Sequence, residues 1–173
     1  MTSWGDQPEE TQFTSEERVE FLRLVKKLGW KRAGKEVFEA FFPVFPMALC
    51  EFAVTRIIDD KPHILLWHRD DEHYKGWHMP GGYILRGESM EEVARRVLFK
   101  ETGLQMRNVE FAHYFNWHPG TASVPNHQIA LLFLCAAEGE LQQGTFFPFD
   151  AIPSDILSHH KEYLAYLNKH YFQ

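Results

Sequence analysis

The chain has 173 residues, of which 45% are hydrophobic, and this is enough for a single globular domain with a substantial core. Its formal net charge is −6, and no segment is dense in lysine or arginine. We therefore expect no nucleic-acid partner, because clustered basic residues are what bind a phosphate backbone. The chain has neither an apolar run of about 18 residues nor a basic and then apolar leader, so we expect a cytoplasmic protein with no membrane partner.

The N-terminal part of the chain is predicted to be helical. Thr14 and Glu17 have the spacing of a capping box, and apolar residues recur every third position up to Leu28, just before Gly29. A phenylalanine-rich segment follows. The predicted segments are a disordered lead at 1–13 and a helical extension at 14–46, with one helix at about 14–28 and a second that reaches about Phe42.

The remaining residues, 47–173, are predicted to form one domain of strands around a central helix. The turn at 59–62 reads Asp-Asp-Lys-Pro and joins two apolar runs, which is typical of a hairpin. Ser89 and Glu92 form a second capping box, and Gly103 is a plausible helix stop. The predicted elements are strands at 49–58, 63–69, 77–79, 109–117, 127–137 and 144–147, a central helix at 89–102 and a C-terminal helix from about His159.

Residues 82–104 carry the most informative pattern in the chain. The segment resembles the Nudix box, and these positions are in register with it: Gly82, Glu88, Arg96, Leu98, Glu101, Gly103 and Leu104. The likeness continues through the Trp-His-Met-Pro-Gly-Gly lead-in at 77–82 and covers about residues 47–153. The resemblance implies a Nudix-type α/β/α sandwich with a mixed β-sheet. It also implies hydrolysis of a nucleoside diphosphate that is linked to another group.

Val97 and Lys100 stand where the Nudix box has glutamates. Residues three and four apart share a helix face, so positions 97, 100 and 101 are predicted to converge on one patch. Three carboxylates there would attract Mg²⁺, whereas here a lysine offsets the single carboxylate of Glu101. We therefore predict a weakened Mg²⁺ site. Glu101 is either the remaining ligand, which its register favours, or a solvated helix-end residue.

In these two replacements the pattern is most similar to that of the GDP-mannose mannosyl hydrolases, which attack the sugar carbon with a single Mg²⁺. The resemblance implies that Mg²⁺, or Mn²⁺, is held by Glu101 and the carbonyl of Gly81. Gln142 or Gln143 is a further candidate ligand. A nucleotide-sugar is accordingly a candidate substrate.

The resemblance also assigns residues to substrate binding and to support of the loop. Arg69 is expected to meet the leaving diphosphate, and Tyr83 stands where an arginine is expected. Lys100 holds a phosphate, repels Mg²⁺ or is an ordinary solvated lysine. The structural positions of the box are Gly82, Glu88, Arg96 and Gly103, of which Glu88 and Arg96 are expected to hold the loop onto the helix.

No histidine stands where the resemblance places the general base. His118 and His127 flank the turn-rich loop at 117–126 and are candidates for this role, as is His113. A histidine with a pKa near neutrality is a natural proton acceptor for an attacking water, although most histidines are ordinary surface or strand residues.

Two hypotheses of function follow from the sequence. The first is a Mg²⁺-dependent hydrolase of a nucleotide-sugar or a related nucleoside diphosphate derivative. The second is a binding module that keeps the diphosphate pocket but has lost turnover. The enzyme is favoured because Glu101, Gly81 and Arg69 are retained. The helical extension either packs over the sheet or forms a contact in a homodimer.

Overall fold

The computed structural model describes residues 13–28, 34–71, 74–122, 124 and 126–172. The chain separates into two compact units, Met1–Gly34 and Lys35–Gln173. The first unit contains the helix α1, Ser15–Leu28, which confirms the helix predicted there. Its N-terminus has the predicted capping box, in which the N–H of Thr14 donates to Glu17 and the N–H of Glu17 donates to the Thr14 hydroxyl. The predicted lead lies outside the described residues, except for Phe13.

The second unit is built on a mixed sheet of seven strands. Their order is β3-β2-β1-β6-β5, with β4 also paired to β1 and β7 also paired to β2. Only the β1 and β6 pair is parallel among the described strands. The strands are β1 (Met47–Ile58), β2 (Lys61–Asp70), β3 (Lys75–His78), β4 (Gly81–Tyr83), β5 (Gln105–Trp117), β6 (Gln128–Glu138) and β7 (Thr145–Pro148).

The central helix α3, Met90–Thr102, lies where it was predicted because local signals fix both of its ends. The Ser89 side chain accepts from the N–H of Glu92, and the Glu92 carboxylate accepts from the N–H of Ser89. Gly103 ends the helix in the left-handed conformation with φ 79°, which a glycine adopts at little cost. The helix position therefore follows from the sequence alone.

The second predicted helix is shorter than expected. The helix α2 spans only Lys35–Glu39, and turns continue from there to Phe45 instead of a helix that reaches Phe42. The prediction was wrong in extent because Pro43 disfavours a helical backbone at the residue before it. In addition, the rings of Phe38 and Phe42 both pack against Tyr83 in the sheet, so tertiary contacts determine their positions.

Helices cover both faces of the sheet, which confirms the α/β/α sandwich. Side chains alternate between the faces along a strand. On β1, Leu49 and Ala53 belong to one core cluster, which includes residues of the C-terminal helix α4, Ser158–Leu167. Cys50 and Phe52 belong to a second cluster, which includes residues of α3.

A π-helical turn, Asn168–Phe172, follows α4. Searched over the described part of the chain, no helix has the length and apolar character needed to cross a bilayer.

Candidate functional site

A pocket of about 80 Å³ lies between β1, β2, β4 and the start of α4. Among the sequence-predicted residues, Arg69, Gly81, Gly82 and Tyr83 line it. The other lining residues are Leu49, Glu51, Tyr74, His78, Gln128, Leu157, His159 and His160. Most of these are polar, so the pocket differs from the apolar core beneath it.

Glu101 reaches this site from the last turn of α3. Its Oε2 accepts from the backbone N–H of Gly81 at 3.1 Å and from the indole N–H of Trp67 at 3.2 Å. Burial raises the pKa of Glu101 to about 7, although these two hydrogen bonds and the nearby Lys100 and Arg69 act in the opposite direction. Glu101 is therefore held at the site, and it is not a solvated residue at a helix end.

Glu51 is a second carboxylate at the site, and the sequence analysis did not single it out. It lies on β1, directly across from Gly81 on β4, and is only 6% exposed. Within the described residues its Oε2 has no hydrogen-bond partner. A side chain at position 81 would overlap with this carboxylate, so any residue larger than glycine there would force Glu51 to move. Burial, and then the charge of Glu101, raise the pKa of Glu51 well above its usual value.

Three buried histidines form another side of the pocket. The Nδ1 of His160 accepts from the backbone N–H of Met79 at 3.1 Å, and its Nε2 lies 4.0 Å from Oε1 of Glu51. Burial lowers the pKa of His78 to about 3, that of His159 to about 4 and that of His160 well below its usual value. The three imidazoles are therefore neutral and can act as hydrogen-bonding groups.

Arg69 and Tyr83 line the pocket as the sequence predicted for substrate-binding residues. The guanidinium of Arg69 pairs with Asp71 and lies 4.9 Å from the ring centroid of Tyr74. The hydroxyl of Tyr83 accepts from Nε2 of Gln128 at 3.3 Å. A cationic guanidinium and a tyrosine hydroxyl are thus available to oxygen atoms of a ligand.

The patch predicted on α3 does not form as expected. Val97 is 2% exposed and belongs to the core, where it lies next to Gly82. Lys100 is exposed and lines a separate surface depression together with Phe99. Val97 points into the core because its apolar side chain is more stable there than at a polar pocket. Glu101 is the member of the predicted patch that hydrogen-bonds at the pocket.

The candidate bases lie elsewhere in the structure. The rings of His118 and His127 are 4.9 Å apart, and His127 shares a hydrogen bond of 2.7 Å with Asn116. His127 also lines a depression with Phe42 and Pro119 that is distinct from the pocket of Glu51. The structure therefore groups these histidines with the loop and not with the two carboxylates.

The candidate ligands in the loop before β7 are also placed apart from the pocket lining. Gln142 packs over Gly103 at the end of α3, and its N–H donates to the carbonyl of Thr102 at 2.9 Å. Gln143 is exposed. Gln142 thus closes the end of the helix, while a role of Gln143 as a metal ligand stays a prediction.

The loop between β4 and α3 is braced by Glu88 and Arg96. The guanidinium of Arg96 donates to both carboxylate oxygens of Glu88, at 2.7 and 2.8 Å, and to the carbonyl of Tyr83 at 2.9 Å. Glu88 also accepts from the N–H of Leu85 at 2.9 Å. This two-pronged contact holds β4, and with it Gly81, in place relative to α3.

The raised pKa of Glu101 leads to a prediction about stability and pH. Between its ordinary pKa of 4.5 and about 7, the carboxyl is neutral in the folded protein and ionised in the unfolded chain. The unfolded state then binds fewer protons, so the stability of the metal-free protein falls as the pH rises through this window. We expect Glu101→Gln, which cannot ionise, to melt several degrees above the wild type at about pH 8 and close to it below about pH 4.5.

Melting curves in a chelator measure this effect directly. A wild-type protein whose melting temperature declines from about pH 5 to about pH 8 no more than that of Glu101→Gln would contradict the raised pKa.

Comparison with known proteins identifies a family that this chain matches. The model of the NUDIX domain matches residues 51–167. The NAD-capped RNA hydrolase NudC of Edwardsiella ictaluri (strain 93-146) is 27% identical over 133 residues, which cover 72% of this chain and 47% of that protein. The chain thus spans about half the length of the curated relative that it matches.

Solved structures show the same fold at low sequence identity. A MutT NUDIX hydrolase from Burkholderia pseudomallei has a TM-score of 0.60 at 20% identity and covers 71% of this chain and 98% of its own. The NUDIX domain of Shewanella oneidensis NrtR, crystallised with ADP ribose, has a TM-score of 0.59 at 13% identity and covers 79% and 98%. A MutT protein from Methanosarcina mazei Go1 has a TM-score of 0.61 at 16% identity, with 75% and 99% covered.

Proposed function

The chain belongs to the Nudix family of hydrolases, and we propose that it hydrolyses a nucleoside diphosphate derivative with the help of a divalent cation. The observation that carries this proposal is that two carboxylates, Glu51 and Glu101, both lie beside Gly81. Gly81 and Glu51 line a pocket that Arg69 also lines. The carboxylates suit a cation, and the guanidinium suits the diphosphate.

The donor set at Gly81 fits Mg²⁺ or Mn²⁺. Over the residues that the structure describes, no three His, Cys, Asp or Glu side chains are grouped as a metal site. The cation would be held by the unpartnered Oε2 of Glu51, the carboxylate of Glu101 and the carbonyl of Gly81. Because these protein ligands are few, phosphate oxygens of the substrate would supply further ligands, as is common for Mg²⁺. A bound cation would neutralise charge that develops on the diphosphate.

The protein's own residues would bind and orient the substrate. Arg69 would pair with the leaving diphosphate, and Tyr83 would donate its hydroxyl hydrogen to a phosphate or sugar oxygen. Lys100 is exposed outside the pocket lining, which favours its interpretation as a solvated residue. His118 and His127 lie outside the pocket lining, which disfavours the role of general base for either of them.

The two replaced glutamates favour a nucleotide-sugar that is attacked at the sugar carbon. ADP ribose was crystallised with the NrtR domain, and it contains a nucleoside diphosphate linked to a sugar, so it belongs in the same screen. A cytoplasmic location, the lack of a nucleic-acid partner and a homodimer stay predictions from the sequence.

The test is a screen of nucleoside diphosphate derivatives with and without Mg²⁺, in which phosphate, free sugar and nucleotide are measured separately. A positive reaction is repeated in ¹⁸O-water. We expect the label in the sugar and an intact nucleoside diphosphate. Label in the phosphate product would overturn attack at the sugar carbon but would retain hydrolysis.

A second candidate function is a nucleotide-binding module without turnover. It is favoured by the burial of Val97 in the core, since the α3 helix then presents a single carboxylate to the pocket. Mg²⁺-dependent nucleotide binding with no release of phosphate, sugar or nucleotide in the screen would select this alternative.

Metal binding by the free protein gives a further prediction. Two carboxylates and one carbonyl leave much of an octahedral Mg²⁺ shell to other oxygens, so we expect weak Mg²⁺ binding to the free protein and tighter binding when a nucleoside diphosphate is present. Calorimetric titrations with and without the nucleotide compare the two states. Tight, saturable binding of Mg²⁺ to the free protein would show that additional protein ligands complete the site.

A further inference from the structure

The C-terminal helix α4 contributes His160 to the pocket that Glu51 of β1 also lines. His160 is 2% exposed, and its Nε2 lies 4.0 Å from Oε1 of Glu51. It is too deeply buried to be an ordinary surface histidine.

One hydrogen bond fixes which nitrogen of His160 carries the proton. The Nδ1 atom accepts from the backbone N–H of Met79 at 3.1 Å, and a nitrogen that accepts a hydrogen bond carries no hydrogen. The ring of a neutral histidine has one N–H group, so the hydrogen is on Nε2. The imidazole therefore presents an N–H donor on the side that faces Glu51.

The two oxygens of Glu51 have different surroundings. Both oxygens lie close to Gly81, but Oε1 lies 4.0 Å from Nε2 of His160, whereas Oε2 is the one nearer to Gly81 and is buried without a hydrogen-bond partner in the described part of the chain. The distance of 4.0 Å exceeds that of a hydrogen bond, so the contact is an electrostatic one between the N–H dipole and Oε1 in a buried setting. The carboxyl group is thus turned with Oε1 toward the histidine and with Oε2 toward Gly81.

We infer that His160 is a positioning residue for Glu51: its Nε2–H attracts Oε1 and thereby directs Oε2 toward Gly81. The orientation follows from the protein's own contacts. Its consequence for metal and substrate rests on the proposed function, in which Oε2 is a ligand of the cation. Groups that orient a metal-binding side chain typically change metal affinity by about 10-fold to 100-fold when they are removed.

The wild-type protein provides the first test. NMR of the protein labelled with ¹⁵N in its histidines distinguishes the two neutral tautomers, and His160→Asn assigns the resonances that belong to His160. We expect a protonated Nε2 and an unprotonated Nδ1. A protonated Nδ1 would overturn the inference, since the nitrogen that faces Glu51 would then have no hydrogen to donate.

Two substitutions separate the contact with Glu51 from the contact with Met79. The amide of asparagine takes the place of Nδ1, so His160→Asn keeps an acceptor for Met79 and removes the donor that faces Glu51. The amide of glutamine reaches the place of Nε2, so His160→Gln keeps that donor and loses the acceptor. A residue that only fills space would not distinguish the two variants.

Crystal structures and Mn²⁺ binding followed by electron paramagnetic resonance read out the variants. We expect Oε2 of Glu51 to turn away from Gly81 in His160→Asn, with Mn²⁺ affinity about 10-fold lower or more, and to keep its place and most of the affinity in His160→Gln. An unmoved Glu51 in His160→Asn, or equal losses in both variants, would overturn the positioning role. If one variant does not fold, the other assigns the His160 resonances, and the tautomer in the wild type then decides.

Glu51→Gln distinguishes this inference from the proposed function. If Glu51→Gln binds Mn²⁺ as well as the wild type does, the proposed metal site is wrong, and the orientation of Glu51 in the two His160 variants still decides the positioning role. If Glu51→Gln and His160→Asn lose Mn²⁺ affinity while His160→Gln retains it, the proposed metal site and the positioning role of His160 are both supported.

Discussion

Glu101→Gln is expected to lower kcat by roughly 10² or more while the fold is retained. The substitution removes one of the two carboxylates at Gly81 but keeps nearly the same shape, and an amide oxygen can still accept from the N–H of Gly81 or Trp67. A cation that neutralises the diphosphate contributes several kcal/mol to barrier lowering, and each ~1.4 kcal/mol is about tenfold in rate. Steady-state kinetics on the substrate identified in the screen measure the effect.

The matched control for this experiment is Glu91→Gln, which makes the same change at an exposed position in the first turn of the same helix. We expect its kcat to match that of the wild type. Undiminished hydrolysis by a well-folded Glu101→Gln protein would eliminate the metal role of this residue. A loss in Glu91→Gln of the same size would show that the helix, and not the carboxylate at Gly81, is being tested.

Arg96→Met is expected to destabilise the protein by about 3 kcal/mol or more. The Glu88 side chain is only 6% exposed, and Arg96 donates to both of its carboxylate oxygens. The substitution removes the cationic partner of this largely buried carboxylate, and breaking a buried ion pair in this way typically costs about 3–5 kcal/mol. Equilibrium unfolding in urea measures the difference.

Arg95→Met is the control for Arg96→Met, because Arg95 is the preceding residue of the same helix and is exposed. An exposed substitution of this kind changes stability by less than about 0.5 kcal/mol. Equal losses in the two variants would contradict the role of the brace. We also expect Arg96→Met to lower activity, since the contact of Arg96 with the carbonyl of Tyr83 holds β4 at the site.

The sequence predicted the helices and strands whose signals are local. The two capping boxes, at Thr14 and at Ser89, are short patterns that specify a helix start by themselves, and the structure has both. The strand β4 was missed because two of its three residues are glycines, which give no apolar alternation. β4 is defined by its antiparallel pairing with β1, which the sequence alone does not show.

The candidate site was only partly predictable because its members are distant in the chain. Arg69, Gly81 and Tyr83 were found through the resemblance, and all three line the pocket. Glu51 carries one local signal, because it is the one acidic residue in the apolar first part of β1, at 47–54. His160 has none, because its meeting with Glu51 depends on how α4 packs on the sheet.

The parallel pairing of β1 with β6 has a consequence for the newly synthesised chain. The register pairs Met47 with Gln128 and Val54 with Cys135. The central strand β1 therefore cannot form this pairing until β6 has been translated, much later in the chain. Such non-local pairing slows folding, because a long loop must close before the contact stabilises anything. During that interval the apolar β1 is a segment prone to aggregation. Chaperone dependence at the ribosome is thus an expected property of this topology.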